Sequence, residues 1–165
     1  MKIIRHGLAA AILTMLLISG ARAETPEEWI ALGTRVHGFF GGFIPAGIRI
    51  GLDARERLKA QPRSLAVTYW KGEKAVCPCV LDGAMLAVNA SPGQGTVTIA
   101  AEPAPADLYA VIVIRDRKSG AGLKYTIAEP WQWKMIGWNK LEPRARYDEA
   151  MKAEGLFTVE PAPAK

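Results

Sequence analysis

Residues 108–115 read Leu-Tyr-Ala-Val-Ile-Val-Ile-Arg, apolar at every position before the closing arginine. A strand of that kind has no face to offer water, so it belongs at the centre of a sheet. Residues 123–127 can return as its partner across the polar turn 116–122. Residues 65–70, β-branched and aromatic, read as another strand, residues 96–100 as a shorter one, and residues 156–159 as the last. Residues 75–80 are expected to be short and extended.

Helices precede and interrupt these strands. Thr25, Pro26 and Glu28 spell a helix start, with a cap, a proline suited to the first position and a capping-box glutamate. Trp29, Leu32 and Val36 then share a face of a helix running to about residue 36. A second helix is expected from near Pro45 to residue 58 or 59. Its buried side is Ile48, Leu52 and Leu58, and its wet side Asp53, Arg55, Glu56 and Arg57. Residues 81–90, nearly all small or apolar, read as a buried helix, and residues 146–154 as a short one. The order predicts a single α+β domain with a mixed β-sheet packed against helices.

The first 23 residues stand apart. Lys2 and Arg5 precede an unbroken apolar run, residues 8–18, and Ala21-Arg22-Ala23 offers small residues where a signal peptidase reads. This is the pattern of a secretory signal, too short for a membrane span. The expected organisation is a signal at 1–23, a domain at 24–160 and a disordered tail at 161–165. A periplasmic protein with no membrane attachment after cleavage follows. Cleavage removes Lys2, Arg5 and Arg22 and no acid, so 21 basic residues become 18 against 16 acidic, a net +2. So balanced a charge gives nucleic acid no electrostatic footprint.

The residues able to carry chemistry are few. Cys77 and Cys79, separated by Pro78, are the two cysteines of the chain. A disulfide between them would close too small a ring to stabilise the fold much. The same pair could cycle between dithiol and disulfide, although no thioredoxin-like pattern surrounds it. His37, the one histidine left after cleavage, precedes a glycine-rich aromatic turn. With both thiols it makes a His37/Cys77/Cys79 donor set that suits zinc or copper, the soft sulfur ligands favouring copper(I) among redox metals. No Cys-x-x-Cys-His occurs, which excludes covalent c-type haem but leaves non-covalent haem open. No Gly-x-Ser-x-Gly elbow accompanies the serines. Phe39 and Phe40, with Asp82, Gly93 and Gly95, are candidate ligand-pocket residues, the last two because Gly93-Gln94-Gly95 could cradle an anion. Residues 130–138 hold three of the five tryptophans, and Arg144 and Arg146 read as a solvated face.

Residues 79–95 resemble the FmdE family of formylmethanofuran dehydrogenase accessory subunits. Cys79 and Asp82 match a cysteine three residues before an aspartate, and Gly93 and Gly95 match a Gly-Lys-Gly turn. His37-Gly38 matches the start of the family's His-Gly-His-x-Cys-Pro-Gly motif. Residues 46–58 are similar to the helix after it, and residues 156–159 to the closing strand. Phe39 stands where the family has a second histidine, Gly41 and Ala90 where it has cysteines, and Gln94 where it has lysine. Cys77 is an addition. The resemblance implies an α+β fold, a homodimer and metal binding, usually zinc. It also implies an accessory role, since the family's founding member serves a molybdenum or tungsten enzyme whose catalytic residues lie elsewhere; a metalloprotein client is the matching partner.

Overall fold

The computed structural model describes residues 23–61 and 63–163, so all of the expected signal except Ala23 lies outside the described residues. Five strands form one sheet: β1 (Leu65–Lys71), β2 (Val97–Ile99), β3 (Leu108–Asp116), β4 (Gly122–Ala128) and β5 (Thr158–Pro161). Their order is β2-β1-β3-β4-β5, which puts the apolar run at the centre as expected. β1 and β2 are parallel and the other pairs antiparallel, so the sheet is mixed. The parallel pair needs a crossover, and α3 (Val80–Val88) lies on the path between the two strands.

Four further helices complete the fold: α1 (Pro26–His37), α2 (Phe43–Leu58), α4 (Trp131–Gly137) and α5 (Pro143–Lys152). Single-turn 3-10 helices occur at Pro92–Gln94 and Trp138–Lys140. The capping box at Thr25 and Glu28 forms as the sequence predicts. α2 starts two residues before Pro45, because a proline in the first turn gives up an N–H that would have no helical partner anyway. Residues 75–79 are not a strand but an irregular loop leading into α3. α3 ends at Val88, where Asn89 turns left-handed.

The molecule is layered. Val67 and Tyr69 of β1, Ile112 and Ile114 of β3, and Tyr125 and Ile127 of β4 form the main core with Ala46 and Ile50 of α2 and Val80 and Val88 of α3. Outside that helix pair lies a second cluster, with Trp29 of α1, Ile44 and Ile48 of α2, Ala87 of α3 and Tyr147 of α5. Val111 and Val113 help line a cavity of about 420 Å³ with Trp70, Pro103, Pro105 and Pro163. β5 begins two residues later than expected, and the chain stays attached past it through Ala162 N–H to Gly122 O at 2.8 Å.

Three tyrosines sit fully buried in the main core, and burial pushes the phenols of Tyr69, Tyr109 and Tyr125 above their ordinary value. Each proton is held more tightly in the folded chain than in the unfolded one. The associated stability is therefore complete at neutral pH and is lost as pH climbs past about 10. Alkaline titration should show phenolate absorbance rising together with loss of circular dichroism. Phenolate forming well before unfolding would contradict this burial.

Candidate functional site

Two helix ends meet at the candidate site. α1 stops at His37 because Gly38 adopts a left-handed conformation, φ 86°, and returns its N–H to Thr34 O. α3 starts just after Cys79, its N-cap, and carries Asp82 in its first turn, where a carboxylate complements the helix dipole. His37 Nδ1 lies 2.7 Å from Asp82 Oδ2, with the side chains 27% and 32% exposed. A carboxylate can only accept, so Nδ1–H donates, and in the neutral ring Nε2 keeps its lone pair. A carboxylate orients metal-ligating histidines and acid–base histidines in this same way.

Cys77 and Cys79 are joined in a disulfide. The Cys79 N–H points at Cys77 Sγ, 3.4 Å away. Both residues are half-buried against the main core, and Cys79 also touches the second cluster. From beneath the loop, Tyr109 donates its hydroxyl hydrogen bond to the Cys77 carbonyl at 2.8 Å. On its other flank, the Val76 N–H is directed at Gln132 Oε1, 3.4 Å away. Cys77, Cys79, Asp82 and His37 thus converge on the first turn of α3.

The expected metal set is not assembled in this state. Among the described residues, no three His, Cys, Asp or Glu side chains are grouped to hold a metal ion. The physical reason is plain: the two sulfurs are bonded to each other, and a disulfide is no substitute for two thiolates. In the disulfide form the residues do not fit zinc or copper.

The other expected pocket residues scatter. Phe40 is a core residue, 2% exposed, in the cluster with Trp29. Phe39 is half-exposed, with the Arg146 guanidinium 4.7 Å from its ring centre. Gly93 and Gly95 are exposed in the turn that follows the C-terminal end of α3, while Asp82 lies in its first turn. Gly95 takes φ 64°, which explains a glycine there as a turn residue.

Arg146 does not lie on a solvated face. It is 7% exposed and donates to the carbonyls of Phe40 (2.6 Å), Asn139 (2.9 Å) and Trp138 (3.2 Å). Asn139 Oδ1 also accepts from Gly42 N–H at 2.8 Å. Together they fix the turn that follows His37. Trp131 and Trp138 pack on each other, while Trp133 points outward.

The family model described as "FmdE, Molybdenum formylmethanofuran dehydrogenase operon" matches residues 36–160. The chain belongs to the FmdE family. The FmdE match takes in His37, both cysteines, Asp82 and all five strands up to Glu160. No curated protein matches the chain. FmdE membership points to an accessory role.

Proposed function

We propose that this FmdE protein is an accessory protein working by thiol–disulfide exchange at Cys77 and Cys79. The observation that supports it best is the disulfide itself, at the N-terminus of α3 and on the same turn as the His37–Asp82 pair. The chemistry needs a dithiol partner. One partner thiolate attacks a sulfur of the pair and the other sulfur leaves as thiolate. The second partner thiolate then resolves the mixed disulfide. The partner ends as a disulfide, and Cys77 and Cys79 end as thiols carrying its two electrons and two protons. The α3 N-terminus and the Cys79 amide both stabilise negative charge at the sulfurs. His37, oriented by Asp82, is the group that exchanges the proton. The periplasm, expected from residues 1–23, is a compartment where such a pair has partners.

Equilibration in glutathione buffers of graded ratio, followed by alkylation and mass measurement, tests this. The pair should pass from fully oxidised to fully reduced within the series. Replacing one cysteine by serine should trap a mixed disulfide with glutathione. A pair that stays oxidised at every ratio would sink the proposal.

A second reading keeps the metal. Reduction frees two thiolates, and an imidazole whose Nδ1 is held by Asp82 offers Nε2, so the reduced His37/Cys77/Cys79 set has the donor chemistry of a zinc or copper(I) site. Zinc added to the reduced protein should bind once per chain, and more weakly in His37→Ala. The expected homodimer and metalloprotein client belong to this reading.

A further inference from the structure

Tyr109 is out of step with its strand. Side chains along a strand alternate between faces, and in β3 the residues buried against the helices are Ala110, Ile112 and Ile114. By that alternation Tyr109 should face the other way, with Val111 and Val113. Yet its side chain is fully buried in the helix-side core, stacked on Phe43 with ring centres 5.3 Å apart. A register irregularity between Leu108 and Ala110 in the β3–β4 pairing makes this possible. Such bulges re-aim a side chain at the cost of a ladder pair. The re-aimed side chain brings its hydroxyl to the Cys77 carbonyl. The neighbouring strand is fitted to the irregularity as well. Gly72 N–H donates to Tyr109 O at 2.8 Å, and a Cβ on Gly72 would lie 2.1 Å from Leu108 O.

We infer that Tyr109 is a positioning residue for the Cys77–Cys79 pair, holding the Cys-Pro-Cys loop in its disulfide conformation and so setting how readily the pair is reduced. The inference rests on the redox reading of that site. A buried hydroxyl with one bond to the loop favours the loop conformation that makes the bond. Reduction lets the two sulfurs separate, and the Cys77 carbonyl then moves from its partner. Tyr109 therefore weights the equilibrium toward the disulfide.

The control is adjacent. Tyr69 is equally buried and is a neighbour of Tyr109, yet its hydroxyl has no hydrogen-bond partner among the described residues. Tyr69→Phe removes a buried phenol from the same core without touching the loop.

The wild-type chain, Tyr109→Phe and Tyr69→Phe should each be equilibrated with graded dithiothreitol and its cyclic disulfide. In this exchange dithiothreitol gives two electrons and two protons to Cys77 and Cys79 and closes to its own disulfide. Tyr109→Phe, which keeps the ring and its stack on Phe43, should be reduced at a ratio about three- to tenfold more oxidising than wild type, the value of one buried hydrogen bond. Tyr69→Phe should match wild type in this equilibrium. An unchanged midpoint in Tyr109→Phe would overturn the inference, and so would equal shifts in both variants, which would mark a general packing effect. Dithiothreitol reduces pairs that glutathione does not, so a failure of the glutathione test bears on the proposed function while this comparison still bears on Tyr109.

Discussion

Gly83→Val is expected to unfold the protein or to lower its melting temperature by roughly 10–20 °C. The cause is the approach of α2 to α3. A Cβ on Gly83 would sit 2.0 Å from Ile44 O and 2.7 Å from Ile48 N, and one on Gly47 would sit 2.0 Å from Val80 O. These are backbone atoms of a neighbouring helix, and they cannot turn aside as a side chain can. One helix must back away, and the main core and the second cluster both run along this pair. Overpacking of a core costs about 1–3 kcal/mol when side chains yield. Here the backbone has to move, so the cost belongs near the top of the range for single substitutions, about 4 kcal/mol or more. A domain holds only about 5–15 kcal/mol in total. Thermal melting followed by circular dichroism decides it. A Gly83→Val protein melting within a degree or two of wild type would mean that the helices do not approach this closely. The substitution also strikes function, because α3 presents Cys79 and Asp82 from its first turn.

That contact shows what the sequence makes legible and what it hides. Gly47 and Gly51, and Gly83 and Ala87, are each spaced by four residues, so each pair falls on one helix face. The spacing is visible; which helix faces which is not, because pairing of the two faces is a tertiary fact. The central strand, the capping box and the α+β order are readable because each depends on neighbours in the chain: a two-sided apolar run, a side chain three residues from its partner amide, an alternation of periods. Residues 131–137 give no such signal, since their tryptophans suit a core or a surface equally, and the helix there has only seven residues.

The site divides along the same line. Cys79 and Asp82 are three apart, so their sharing a helical turn follows from local geometry. His37 reaches Asp82 from 45 residues away, and only the packing of α1 against α3 brings it there. A Cys-Pro-Cys disulfide reads from sequence as weak for stability, and the structure shows that the bond is formed. Its significance is chemical: it decides whether two of the three expected metal donors exist as donors at all. Tyr109 is invisible for a sharper reason. A β-bulge reverses the side-chain alternation from which a strand is read, so the residue it re-aims is assigned to the wrong face by any period-two argument.

Arg146→Met is expected to cost about 3–5 kcal/mol and to release the turn behind His37. A charged pair of arginines beside a tyrosine reads as solvated, because buried arginine is rare. What overrides the rule here is the supply of acceptors. Trp138 and Asn139 belong to the closing 3-10 turn after α4, where the Trp138 carbonyl also accepts from Leu141 N–H, and Phe40 lies in the glycine-rich turn after α1. One planar guanidinium reaches all three, and its face covers the Phe39 ring. Methionine fills a similar volume and donates nothing, so buried carbonyls of two loops lose their shared partner. Arg146→Lys keeps the charge but has a single nitrogen, which cannot reach three divergent carbonyls, and should fall between the two. Melting temperature gives the stability loss, and amide hydrogen exchange at Gly41 and Gly42 should rise in Arg146→Met more than exchange in β3. Uniform acceleration across the chain would mean that Arg146 supports the whole fold and not this turn. Unchanged melting would mean that its three hydrogen bonds are no better than those the unfolded chain makes with water. A local rise is the outcome that links Arg146 to chemistry, because the released turn begins at the residue after His37, and the imidazole then keeps its bond to Asp82 only part of the time.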